Sequence, residues 1–86
     1  MTDAVAVKMG MTGAGKLDRA ATQIVNQARK QTKHRGVVQM ARKISKYATY
    51  SNAEAIAEAF SDVYCNGKKA KAESHAIMNV VNSYLK

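Results

Sequence analysis

SNAEAIAEAFSDVYCNG, residues 51–67, carries the clearest helix signal in the chain and decides the fold class. Ser51 followed by Glu54 forms a capping box, in which the serine oxygen accepts a backbone N–H of the first helical turn. Asn66-Gly67 is a typical helix stop, because glycine adopts the left-handed conformation at little cost. The stretch therefore predicts a helix over residues 52–65. We expect its apolar face to consist of Ala53, Ile56, Ala57, Phe60, Val63 and Tyr64.

Working outward, apolar side chains recur at three- and four-residue spacing over residues 16–32, 37–48 and 70–85, and the chain has no proline. The sequence therefore predicts an all-α protein, a small compact bundle of about four short helices. Three of the five glycines fall within residues 1–16, which we expect to form a flexible N-terminal arm before a single helical domain over residues 17–86. The larger apolar side chains are expected in or near the core: Met40, Met78, Phe60 and the four tyrosines.

The charge distribution is strongly uneven along the chain. The 86 residues carry 14 Lys and Arg against 6 Asp and Glu, a formal net charge of +8. Residues 1–46 hold ten basic and two acidic side chains, residues 47–66 hold three acids and no Lys or Arg, and residues 67–86 are basic again. A strong positive electrostatic field on a small protein predicts attraction to nucleic acid or another polyanion.

The densest positive cluster spans residues 29–46, and no acid occurs between Arg19 and Thr49. Cations on one side of a helix can bind the phosphate backbone of a nucleic acid and release its counterions. The alternative interpretation of the cluster is an ordinary helix face exposed to solvent. No aromatic residue is interleaved in the cluster, which disfavours base stacking. We predict binding of nucleic acid or another anionic partner through its seven cations: Arg29, Lys30, Lys33, Arg35, Arg42, Lys43 and Lys46.

Residues 44–64, ISKYATYSNAEAIAEAFSDVY, carry an ordered pattern of a serine, a tyrosine, an asparagine and three spaced acids, followed by Asn66-Gly67 and a last helix ending near Leu85. This pattern resembles the C-terminal part of bacteriophage minor-head and head-morphogenesis proteins and of the zincin-like peptidase domains related to them. The resemblance covers residues 43–85, half of the chain. It implies a phage or prophage origin.

In the catalytic members of that group, the resemblance implies that a glutamate at the position of Glu54 is a zinc ligand and that a tyrosine at the position of Tyr47 supports the transition state. The other two ligands come from an upstream H-E-x-x-H helix, which this chain lacks. A hydrolytic zinc needs three protein ligands and a water. We therefore expect no enzymatic activity and interpret Glu54 as a helix-capping acid.

Nothing else in the sequence predicts a cofactor or a metal. Gly10, Gly15 and Lys16 match the spacing of a phosphate-binding loop, but Leu17 stands where such a loop needs a hydroxyl for magnesium. The two histidines are far apart, and a single cysteine, Cys65, excludes an internal disulfide. With no long apolar run, we expect a soluble protein of the cytoplasm, that of the host cell if phage-encoded, with no membrane partner.

These observations leave three hypotheses. The leading one is a small, basic, non-enzymatic phage-type protein that docks on nucleic acid or a nucleoprotein. The phage or prophage origin that the resemblance implies extends this hypothesis to inhibition of a host-defence nuclease complex, the activity of anti-CRISPR proteins. The second is a remnant of a phage head protein that acts through protein–protein contacts, and the third is an inactive zincin-like fragment.

Overall fold

The computed structural model describes residues 1–86 as five α-helices without a β-strand. This confirms the all-α prediction and corrects the helix count from four to five. Two short 3-10 turns, Tyr47–Thr49 and Gly67–Lys69, connect the later helices. The helices are α1 (Thr2–Lys8), α2 (Lys16–Thr32), α3 (Val37–Ile44), α4 (Asn52–Asn66) and α5 (Ala72–Leu85).

The first helix lies where the sequence predicted a flexible arm. Thr2–Lys8 contains neither glycine nor proline, so nothing in its backbone opposes a helix, and the glycines are confined to the loop that follows. Val5 and Ala6 are fully buried, and α1 packs against both α2 and α5. The prediction of an arm over residues 1–16 is therefore wrong for residues 2–8.

The end of α3 is the other boundary that differs from prediction. A helix was expected over residues 37–48, but α3 ends at Ile44. Ser45 takes an extended backbone, with φ −169° and ψ 167°, and its hydroxyl accepts the N–H of Ala48 at 3.1 Å. A serine at this position competes with the helix by capping the next turn, so the chain continues as a 3-10 turn.

Small side chains build much of the core. Helix α5 packs on α2 and α4, and seven of the sixteen clustered core residues are alanine, which lets neighbouring helices approach closely. The sixteen are Val5, Ala21, Ile24, Val25, Ala28, Met40, Ala41, Ala48, Ala55, Ile56, Ala59, Ala76, Ile77, Met78, Val80 and Val81.

Helix α4 buries only part of the face predicted for it, since Ile56 is buried and Val63 packs against the core, but the two aromatic residues of that face are exposed. Ala55, Ile56 and Ala59 are buried, whereas Phe60 is 47% and Tyr64 80% exposed. Alternate alanines make α4 apolar on several sides, so periodicity alone does not choose its buried face. The side with Ala55 and Ala59 faces the core because close helix packing favours small side chains over aromatic rings.

The large apolar side chains expected in or near the core divide into two groups. Met40 and Met78 are buried as predicted, and the half-buried Tyr84 packs against the core while its hydroxyl accepts a hydrogen bond from Gln27 at 2.9 Å. The prediction is wrong for Tyr47 and Tyr50, which are exposed like the two α4 aromatics.

Candidate nucleic-acid interface

The turn between α2 and α3 displays two of the predicted cations. Helix α2 ends at Thr32, and Lys33 takes a left-handed backbone with φ 61°, the only positive φ outside glycine. Gly36 then begins α3 from an extended conformation. Lys33 and Arg35 are both exposed in this turn. Glycine adopts this conformation with less strain, so the fold itself does not require a lysine here.

Two hydrogen bonds hold this turn to the body of the protein. Arg29 Nη1 donates to the backbone oxygen of His34 at 3.2 Å, and His34 Nε2 donates to Glu73 Oε2 at 2.9 Å. Burial alone raises the pKa of Glu73, but the hydrogen bond from His34, the Glu73 backbone N–H and the charges of His34 and Lys43 bring that pKa below its ordinary value. Arg29 therefore positions the turn, while Glu73 anchors it to α5.

A shallow open pocket of about 460 Å³ lies beside the turn, lined entirely by polar and basic residues: His34, Gln39, Arg42 and Lys43. Arg42 and Lys43 occupy the last turn of α3, where positive charge also favours the negative end of the helix dipole. The pocket brings together two of the predicted cations with two residues outside the predicted set. Gln39 precedes Arg42 by three residues and Lys43 by four, the spacing that places side chains on one helix face, so the sequence indicates that Gln39 lies beside these two cations.

The remaining predicted cations do not line this pocket. Lys30, Lys33, Arg35 and Lys46 are exposed, on the last turn of α2, in the turn and just after α3, whereas Arg29 is half-buried. The predicted set therefore consists of one positioning arginine, two pocket residues and four exposed cations.

None of the 14 Lys and Arg side chains has a carboxylate within 4.0 Å, since the one ion pair of the structure joins His34 to Glu73. Three of the six acids instead accept hydrogen bonds from other groups: Glu58 from Ser45, Asp62 from Asn66 and Lys71, and Glu73 from His34. The cations of the α2–α3 region, residues 29–46, therefore form no ion pair with a carboxylate within the molecule.

Two exposed tyrosines adjoin the basic region, a feature that the sequence reasoning missed. Tyr47 directly follows Lys46, and its ring meets that of Tyr50 edge to face at 5.6 Å. The signal that could have located them is Ser45, which ends α3 and turns the chain so that only Ala48 enters the core.

The residues that carry the phage-protein resemblance take structural roles. Ser51 Oγ accepts the backbone N–H of Glu54 at 3.0 Å, which confirms the predicted serine cap. The exposed carboxylate of Glu54 makes no return hydrogen bond to the helix start, so the capping box is only half formed and the interpretation of Glu54 as a capping acid is wrong. No group of three or more His, Cys, Asp or Glu residues is placed to hold a metal ion. The resemblance itself stays a prediction.

No protein-family model, curated protein or solved structure matches the chain. None of the five helices is long and apolar enough to cross a membrane.

Proposed function

We propose that this chain is a non-enzymatic nucleic-acid-binding protein that contacts the phosphate backbone through the α2–α3 region. The observation that supports this most directly is the set of cations without carboxylate partners, two of which border a pocket with no acidic lining. Such side chains replace the counterions of a phosphate backbone on binding, and the release of those ions drives association. They fix position on the backbone without reading sequence.

The phage-protein resemblance of residues 43–85 supports a narrower version of the proposal. A small phage-encoded protein with this surface would dock on a nucleoprotein, such as a host-defence nuclease complex, and occupy the path of its nucleic acid. Competition between this chain and the nucleic acid for one such complex tests the narrower version separately.

Binding to labelled duplex DNA and structured RNA at about 50 and 300 mM salt tests the proposal. With four phosphate contacts, the affinity falls about 600-fold between these salt concentrations. The variant R35E/R42E/K43E/K46E should abolish binding. The matched control K8E/K68E/K69E/K86E makes the same charge change at exposed lysines outside the α2–α3 region and should retain most of the affinity.

Equal losses in the two variants would mean that net charge alone attracts the nucleic acid. Affinity that does not change with salt, or no binding at low salt, would contradict the proposal.

The exposed aromatic rings of α4 support protein–protein contact as a second candidate function. The rings of Phe60 and Tyr64 stack at 5.9 Å on a helix without Lys or Arg. Exposed aromatic side chains are typical of protein interfaces. Light scattering during size-exclusion chromatography, with F60S/Y64S as the comparison variant, detects self-association through this surface.

A further inference from the structure

The 3-10 turn Tyr47–Thr49 presents two aromatic rings to solvent immediately beyond the basic helix α3. Tyr47 is 61% and Tyr50 63% exposed, and their rings are inclined at 82° to each other. Edge-to-face contact leaves ring faces uncovered, because only one face of one ring receives the edge of the other. The turn therefore carries open aromatic surface that the core does not use.

Burial of one residue and three hydrogen bonds hold the turn in place. Ala48, between the exposed rings, is 2% exposed and belongs to the core. Its N–H donates to Ser45 Oγ at 3.1 Å, and the Ser45 hydroxyl in turn donates to Glu58 Oε1 at 2.8 Å. Thr49 Oγ1 donates to the backbone oxygen of Lys46 at 2.7 Å. Binding to these rings would therefore require little ordering of the backbone, which lowers the entropic cost.

Two cations lie close to the rings along the chain. Lys46 is the residue before Tyr47, and Lys43 precedes it by four residues, so their Cα atoms lie within about 14 Å of that of Tyr47. Nucleic acids present phosphates and base faces side by side, and single-strand-binding grooves combine cations with aromatic rings in this manner. By contrast, the aromatic pair Phe60 and Tyr64 has no Lys or Arg on its own helix.

We propose that Tyr47 and Tyr50 stack on unpaired bases, so that this protein prefers single-stranded nucleic acid to duplex. The inference rests on the proposed function, since Arg42, Lys43 and Lys46 hold the backbone while the rings bind the bases. Duplex bases stack on one another and offer the rings no free face. Each stacked base should strengthen binding about 5- to 150-fold.

Three probes of equal length, about 20 nucleotides, separate the phosphate from the base contribution: an oligodeoxythymidylate, an abasic strand and a DNA duplex. Quenching of tyrosine emission reports stacking directly, since the chain has four tyrosines and no tryptophan. With one base stacked on each tyrosine, we expect the oligodeoxythymidylate to bind at least about 25-fold more tightly than the abasic strand and to quench the emission.

Three double variants then locate the effect. Y47L/Y50L should bind the two single strands equally, while Y47F/Y50F, which keeps the rings, should retain the preference. F60L/Y64L, which removes the other exposed aromatic pair, should also retain it. Thermal unfolding of each variant confirms that the exposed substitutions leave the fold intact.

Equal binding of the thymidylate and abasic strands by the unmodified protein would overturn the stacking proposal and leave the proposed function standing. A preference for the thymidylate strand that persists in Y47L/Y50L would overturn the stacking proposal in the same way. Failure of every probe to bind at low salt would overturn both.

Discussion

The basic region, residues 29–46, and the α4–α5 hairpin use their charged side chains in opposite ways. In the hairpin, Asp62 and Glu73 each accept hydrogen bonds that hold one element to another. None of the seven cations of the basic region is paired with a carboxylate, as is true of every Lys and Arg in the chain, and among the seven only Arg29 makes a side-chain hydrogen bond, to a backbone oxygen. Under the proposed function, the hairpin contributes mainly to stability, while the basic region offers its charge to a partner. The substitutions below separate these two contributions.

The largest expected effect is the loss of a core side chain from the hairpin. Ile77 on α5 is fully buried, so I77A leaves a cavity and lowers the free energy of unfolding by about 2–5 kcal/mol. A chain of this size has only about 4–13 kcal/mol in total. The control V38A, at a half-exposed side chain of the basic region, should cost less than about 0.5 kcal/mol. Urea unfolding measures both, and equal losses would contradict the division between the regions.

Asp62 is the next test, because it joins the two helices of the hairpin. Its carboxylate accepts the side-chain amide of Asn66 at 2.7 Å and the backbone N–H of Lys71 at 2.9 Å. D62A should lower the free energy of unfolding by about 1 kcal/mol, as removal of a helix cap does. The control E54A removes the same charge from an exposed side chain without such bonds, and a loss as large as that of D62A would show that charge alone matters.

The contribution of Asp62 should also depend on pH. The nearby Ser74 hydroxyl, the Lys71 N–H and the Asn66 amide lower the pKa of Asp62 from 3.8, although the buried Ser74 oxygen makes no hydrogen bond of good geometry. Because the folded protein holds this carboxylate ionised more readily than the unfolded chain, the stabilisation is present above pH 3.8 and is lost as pH falls through the lower folded pKa. The difference between D62A and the unmodified protein should therefore shrink in strong acid.

The helices were predictable from sequence because their signals are local. The serine cap at Ser51 holds in the structure, and α2 has the predicted bounds. Helix α4 also ends before Gly67 as predicted, although Gly67, with φ 53° and ψ −124°, does not take the left-handed helical conformation. The buried face of α4 was not predictable, because alternate alanines satisfy more than one packing arrangement.

For the candidate site, the exposed cations could be read from the sequence, but their grouping could not. The pocket depends on the left-handed turn at Lys33 and on the contact of His34 with Glu73, 39 residues later in the chain. Tyr47 and Tyr50 were assigned to the core because residue type alone does not show which side of a turn is covered.

A third test asks whether the fold or the partner accounts for Lys33. In its left-handed conformation a glycine is less strained, so K33G should stabilise the fold by about 1 kcal/mol while weakening nucleic-acid binding. The control K30G removes the same charge inside the last turn of α2, where glycine should instead destabilise by about 1 kcal/mol. Both variants should bind less tightly. Unchanged binding by K33G would remove this lysine from the interface.

The smallest expected effect concerns Glu73, the acid that contacts His34 in the basic region. E73Q removes the ion pair between Glu73 and His34. The side chain of His34 is 20% exposed and that of Glu73 is 17% exposed, and the loss of the pair should cost less than about 1 kcal/mol of stability. The pKa of Glu73 lies below 4.5 in the folded protein, so this contribution is present above pH 4.5 and disappears as pH falls through the folded pKa. Removal of a negative charge beside Lys43 should at the same time raise the affinity for nucleic acid about threefold at low salt. D3N, which removes an exposed acid on α1, serves as the control. If E73Q binds nucleic acid more weakly than the unmodified protein, Glu73 favours binding by holding the α2–α3 turn in place more than its negative charge opposes binding. In that case stability and binding could not be separated at this residue.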